Sequence, residues 1–200
     1  MQAGRRAATL PVSFFRRDAV TVARELLGTV LVVGDGRRRV SGRIVEVEAY
    51  LGAEDPASHA YGFRRHRQNA AIYGPAGTWY VYRSYGMHWC ANLVTGPPGH
   101  GAAVLLRALE PLEGLALMRR RRGLVRDRLL CAGPGRLCEA LGITRTLDGA
   151  RRHPTTAMVL WGEPTDAVIV ASPRIGISRA RDWPLRFTLR DSPWLSRRVP

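Results

Sequence analysis

The sequence predicts an α+β fold: a single compact domain built on a curved, mostly antiparallel β-sheet, with flanking helices and a protruding β-hairpin. Three observations carry this. The 200 residues have the length of one domain, and a 46% hydrophobic content can bury a core. Short β-branched runs alternate with Gly, Pro and Asp turns, while only three stretches suggest helices. Two strand-like aromatic runs meet at Tyr85-Gly86, the pattern of a tight hairpin turn. No repeat or linker divides the chain, so residues 1–200 are read as one unit, with about 1–17 as an N-terminal lead-in.

In chain order, Asp18 can cap a short helix whose apolar positions Ala19, Val22, Ala23 and Leu26 follow helical spacing, with Gly28 as its stop. Thr29 to Val33 reads as a strand, Gly34-Asp35-Gly36 as a turn and Val40 to Glu48 as the return strand. Alternation places Ile44, Glu46 and Glu48 on one face, with Val45 and Val47 on the other. Two acids on one face argue against a dry core, so Glu48 is expected to face a cleft or solvent. Residues 60–75 read as a polar basic loop. The hairpin follows, its tip displaying Arg83, Tyr85, Met87 and His88. Core packing and function are both open readings of these aromatics. Gly96 to Gly101 is a loop, and Ala102 to Ala108 an apolar strand interrupted by Arg107. Pro111 opens a second helix that closes on Arg119 to Arg122. A third begins at Gly133-Pro134-Gly135-Arg136, where Arg136 is either a phosphate anchor or part of a plain helix start. Met158 to Trp161, Ala167 to Ala171, Arg174 to Ile177 and Leu185 to Arg190 read as short strands. Arg145 to Thr155 is a polar connection.

Charge narrows the function. Thirty-one basic residues face 16 acidic ones, every basic residue is Arg, and the net charge of +15 argues for a polyanionic partner such as nucleic acid. Without Lys, a Schiff-base mechanism has only the α-amino group at Met1 as its amine. Cys90, Cys131 and Cys138 suit neither a disulfide framework nor a zinc site and read as buried thiols, with a cytoplasmic location. No run approaches a membrane span, and Pro11, Ser13 and Arg16-Arg17 interrupt any signal core after Arg5-Arg6. The histidines His59, His66, His88, His100 and His153 are scattered, so neither a metal nor another cofactor is expected.

The stretch Arg43 to His59 changes from strand to polar loop at Glu48-Ala49-Tyr50. Glu48 is either an ordinary strand-end acid or a placed catalytic group. A carboxylate, several tyrosines, a lone strand Arg and a basic surface together suit chemistry on a nucleobase.

Several linked motifs then become specific. These are Glu48-Ala49-Tyr50 with Asp55-Pro56-Ala57-Ser58-His59, then Tyr80-Val81-Tyr82-Arg83-Ser84-Tyr85-Gly86-Met87, then Leu105-Leu106-Arg107-Ala108-Leu109-Glu110-Pro111. Gly133-Pro134-Gly135-Arg136 and Pro184-Leu185-Arg186-Phe187 with Ser192-Pro193-Trp194 extend them. In order and spacing, from about Val20 to Ser196, the chain resembles the alkyladenine (3-methyladenine) DNA glycosylase family.

The resemblance implies a monofunctional, metal-free enzyme that excises alkylated or deaminated purines from double-stranded DNA as a monomer. The implied substrates are 3-methyladenine and 7-methylguanine, with hypoxanthine and ethenoadenine as open candidates. Glu48 would activate water and Arg107 would help position it. Tyr50 and Tyr82 would sandwich the extruded base, His59 would hydrogen-bond to it, and Asn92 would disfavour guanine. Tyr85 would enter the minor groove and fill the vacated place in the stack. From position alone, Met87 and His88 at the hairpin tip are expected beside it, and Arg83 and Arg136 are candidate phosphate contacts.

One segment departs from the family pattern. Where Thr-x-Arg-Asn-x-x-Met is common, this chain has His66, Gln68 and Ile72, and only Asn69 is kept. Two other readings stand beside the glycosylase: a non-catalytic nucleic-acid-binding module and an RNA-directed hydrolase. Binding alone would not need Glu48, Tyr50, His59, Tyr82 and Arg107 together.

Overall fold

Strand β2, Val40–Tyr50, is the spine of the molecule, because three other strands bond to it. The structure, a computed structural model, describes residues 8–123, 126–151, 157–162 and 167–198. Along one side β2 pairs with β5 (Ala102–Glu113). Its other side is shared, with β1 (Val30–Val33) bonding residues 40–43 and β8 (Arg186–Leu189) bonding residues 46–48. The hairpin β3 (Trp79–Ser84) and β4 (His88–Thr95) extends the sheet beyond β5. Strands β6 (Ala157–Leu160) and β7 (Ile169–Ser172) bond to β1 and β8. All of these pairings are antiparallel, and the whole is the expected α+β architecture.

The β2–β5 ladder is irregular where it matters. Ile44 pairs with Leu109, Glu46 with Ala108 and Val47 with Leu106, so Val45 on β2 and Arg107 on β5 each stand as an extra residue. Such bulges bend a strand and re-aim a side chain. They also break the simple alternation read from sequence. Ile44 joins Val45 and Val47 in the apolar core, and Glu46 and Glu48 are both fully buried rather than facing solvent.

Helix α2 (Ala19–Leu26) starts as its sequence predicts, with the Asp18 carboxylate accepting from Thr21 N at 2.9 Å and Ala19, Val22, Ala23 and Leu26 buried. Helix α1 (Val12–Phe15) seats Phe14 and Phe15 in the core. Pro111 does not open a helix. It lies within β5 opposite Gly42, at a register shift and beyond the stretch that β4 covers, where its missing N–H leaves no ladder bond unmade. Helix α3 (Leu115–Arg122) begins only after Gly114 turns the chain at φ +76°. Helix α4 (Pro134–Leu141) starts behind Gly133 as expected and buries Leu137, Cys138, Ala140 and Leu141.

The segment 174–177 is irregular rather than a strand, and 60–75 contains two short 3-10 turns. Ile72, Tyr73, Tyr80, Val94, Ala103 and Ala60 form a second, smaller apolar cluster. The residues around Arg5-Arg6, His153 and part of the Arg145 to Thr155 connection lie outside the described residues. Among the described residues, no helix is long and apolar enough to cross a membrane.

Candidate active site

The end of β2, the hairpin, the loop after β2 and the segment 175–179 enclose a cleft of about 650 Å³. That volume is in the range of small-molecule sites, about 300–1,000 Å³. Tyr50, His59, Tyr82, Asn92 and Arg107 all line it, and Tyr85 stands at its edge. Six positions expected from sequence therefore meet at one place.

Glu48 lies directly behind this wall. Its Oε2 accepts from Tyr50 Oη at 3.0 Å and lies 3.3 Å from Arg107 Nη1, while its Oε1 accepts from Ile175 N at 2.7 Å. Burial raises its pKa, and this outweighs the opposing pull of Arg107, the Ile175 N–H and the Tyr50 hydroxyl. The nearby charge of Glu46 adds to the rise. Burial likewise pushes the Tyr50 phenol well above its ordinary value, so it remains a donor to Glu48.

Glu46 has the opposite balance. Burial opposes its charge, but Arg107, Ser196 and Arg186 together hold its pKa below the ordinary value. Its Oε1 accepts from Arg107 Nε at 3.0 Å, Arg186 Nε at 2.9 Å and Ser196 Oγ at 2.7 Å, and its Oε2 from Ser196 N at 2.6 Å. A buried carboxylate is tolerable only with such a set of partners.

The aromatic walls are built in layers. Tyr80 and Tyr82 stack at 5.4 Å between ring centroids, and the His59 ring meets Tyr82 edge-on at 4.4 Å. His59 Nδ1 and Tyr80 Oη share a hydrogen bond of 2.7 Å. Burial, then the charge of His66, lowers the His59 pKa and favours its neutral form. Asn92 is buried, and its Nδ2 donates to Tyr80 O at 2.9 Å.

The hairpin turn has positive φ at Tyr85 (50°) and Gly86 (66°), as a type I′ turn requires, closed by Met87 N donating to Ser84 O at 3.0 Å. Tyr85 is 84% exposed and Met87 66% exposed. The other two tip residues are less free than their sequence positions suggest. Arg83 is stacked over Trp89 at 5.5 Å, and His88 packs so closely on Gly135 that a Cβ there would lie 2.9 Å from it. Arg136 is exposed, and its Nη1 donates to Ala132 O at 3.3 Å.

Several residues that shape the site carried no role in the sequence reading. Arg174 is fully buried, pairs through both terminal nitrogens with Asp55, donates to Ala49 O and lies 4.6 Å from the Tyr50 ring centroid. It thereby fixes the back of Tyr50 and delivers Ile175 N to Glu48. Asp55 reaches it from a turn in which Gly52 adopts φ +86° and leaves no room for a Cβ, which would sit 2.6 Å from His100 O. Asn69 turns out to be structural. Its Nδ2 donates to His59 O at 3.0 Å and Arg64 O at 2.9 Å, pinning the backbone of a cleft residue. Of the departures around it, Ile72 fills the small apolar cluster, His66 lines the cleft and Gln68 is exposed. Among the described residues, no group of three His, Cys, Asp or Glu side chains is placed to hold a metal ion.

Comparison with known proteins shows the family. The family model described as methylpurine-DNA glycosylase matches residues 13–193. A protein of Nitrosospira multiformis is 52% identical over 184 residues, covering 92% of this chain and 91% of its own. One from Agrobacterium fabrum is 49% identical over 189 residues, covering 94% and 93%, and one from Methanoculleus marisnigri is 49% identical over 198, covering 95% and 100%. All three bear the provisional name 3-methyladenine DNA glycosylase. The chain belongs to the methylpurine-DNA glycosylase family and is a DNA glycosylase, a hydrolase of N-glycosyl bonds.

Proposed function

We propose that the chain is a monofunctional base-excision enzyme that flips an alkylated or deaminated purine out of double-stranded DNA and hydrolyses its N-glycosidic bond with a water activated by Glu48. The observation that carries this reading is a buried carboxylate with a raised pKa, joined to Arg107 and Tyr50 directly behind an aromatic cleft. A raised pKa makes Glu48 a stronger base than an ordinary glutamate. Its Oε1 accepts one protein donor among the described residues, which leaves acceptor capacity for the water.

Tyr50 and Tyr82 contact the extruded base, and stacking at about 1–3 kcal/mol per base contact offsets most of the few kcal/mol that flipping costs. His59 and Asn92 read its edge. Tyr85 takes the vacated place in the duplex, with Met87 and His88 beside it, and Arg83 and Arg136 contact phosphates once their present partners yield. An N-alkylated purine is cationic, so it is drawn to aromatic faces and leaves without a proton donor. Neutral His59 and the protonated cleft phenols suit that kind of leaving group best. 3-Methyladenine is accordingly the primary substrate; 7-methylguanine, equally cationic but disfavoured at Asn92, follows it, ahead of hypoxanthine and ethenoadenine. The protein acts as a monomer in a reducing cytoplasm, consistent with three buried free cysteines.

The test is a panel of lesion duplexes assayed for free base, with strand breakage scored before and after alkali. Free base with alkali-dependent breakage is expected. Strand breakage without alkali contradicts the monofunctional class, and no free base from any alkylated duplex contradicts the activity.

A further inference from the structure

We propose that Glu46 is a positioning residue of the reaction, held by the C-terminal segment at Ser196, which orients the Arg107 guanidinium toward Glu48 and prevents it from pairing fully with the catalytic carboxylate. This rests on Glu48 being the water-activating base.

Arg107 is the extra residue of a β-bulge, and its guanidinium is divided between two acids. Nε lies 3.0 Å from Glu46 and Nη1 lies 3.3 Å from Glu48. Without Glu46, the same fork could close on Glu48 in the bidentate arrangement that binds carboxylates most strongly. Such a pair would lower the basicity of Glu48. Glu46 occupies one arm and leaves Glu48 a single, longer contact.

The second cation near the pair is withheld in the same way. Arg186 stands opposite Glu48 in the β2–β8 ladder, yet its Nε goes to Glu46, its Nη1 to Ser172 Oγ at 3.3 Å and its Nη2 to Arg197 O. Ser196 then closes the arrangement from the chain's last segment, giving Glu46 both its N–H and its hydroxyl. Glu46 thus accepts four hydrogen bonds, a full complement for a buried carboxylate. Together they hold it ionised in one orientation.

The charged and titratable groups facing Glu48 can be assigned by element. Tyr50 and Glu46 come from β2, Arg107 from β5, Cys90 from β4 and Arg186 from β8, with Arg174 behind Tyr50 in the segment that also supplies Ile175 N. Only Glu46 among them is an acid. Its charge works with burial to keep the Glu48 pKa high.

Glu46→Gln and Ser196→Ala test this, with base release from a methylated duplex followed over pH under single-turnover conditions and lesion affinity measured in parallel. In Glu46→Gln we expect the acid limb of the rate profile to move to lower pH and the plateau rate to fall about 10-fold, with lesion affinity changed less than about twofold. Ser196→Ala should move the limb in the same direction by less, and it decides the matter should Glu46→Gln not fold. An acid limb at the parent's position in whichever variants fold overturns the proposal, whatever happens to the rate. Glu48→Gln run alongside keeps the two questions apart. Parent-like release there removes Glu48 as base, whereas slow release with an unmoved Glu46→Gln profile removes only the role of Glu46.

Discussion

Glu46 and Glu48 sit two residues apart on one strand, both fully buried, and hold a single guanidinium between them with their pKa values displaced in opposite directions. Environment alone separates them. Four donors keep Glu46 charged, whereas burial dominates at Glu48 and makes its proton harder to lose. Pairs of acids with divergent pKa values often mark the division between a structural charge and a working base.

The pH dependence follows with a definite sign. Glu48 must be ionised to act, so base release should fall on the acid side with a midpoint above the ordinary glutamate value of about 4.3. Stability responds differently at the two acids. A raised folded-state pKa means that ionising Glu48 costs stability as pH rises from the ordinary range through its folded value. Glu46 contributes stability above its unfolded pKa and loses it as pH falls through its depressed folded pKa. We therefore expect Glu48→Gln to unfold at the parent's temperature or higher, and Glu46→Gln at a lower one. The reverse order in thermal denaturation would contradict this assignment.

Tyr85 is the most exposed large side chain in the hairpin turn, and its removal should leave the fold untouched. Tyr85→Ala is expected to weaken lesion-duplex binding by about 1–3 kcal/mol, the value of one lost stacking contact. Parent-like affinity in a fluorescence titration would exclude Tyr85 as the wedge.

Arg174 and Asp55 form a buried pair with fork-to-fork geometry behind Tyr50. Arg174→Met strands a buried carboxylate and should cost about 3–5 kcal/mol in chemical denaturation. A loss below 1 kcal/mol would show that water or another cation reaches Asp55.

With 31 arginines and no lysine, the protein should bind duplex DNA with strong salt dependence. We expect a slope of about −0.9 in log affinity against log salt for each phosphate contacted. A flat salt response would mean that the arginines serve the fold rather than the DNA.

The chemistry of the cleft was largely legible in the residues, because Glu48-Ala49-Tyr50, the hairpin and Arg107 each carry local patterns. What aims them was not. The bulge that turns Arg107 toward the two acids leaves no trace in alternation, and where a cleft or solvent was expected beside Glu48, the carboxylate is fully buried just behind the cleft wall. Arg174 and Asp55 lie 119 residues apart and come together only through the sheet. Pro111 misled because proline at the first turn of a helix is a strong local signal, whereas its acceptance in β5 depends on a register shift made with β2. Asn69 was visible as the kept residue of a drifting segment, but its work on His59 is a contact between loops.

The most direct measurement of the central claim is single-turnover base release by Glu48→Gln on a duplex carrying one alkylated purine, with binding measured on the same duplex. Gln keeps the size and one accepting oxygen, gives up the acceptor that either Ile175 N or Tyr50 and Arg107 now use, and cannot take a proton from water. We expect binding close to the parent's and release slower by about 10²–10⁴-fold. Release at the parent's rate with intact binding would contradict Glu48 as the base that activates water.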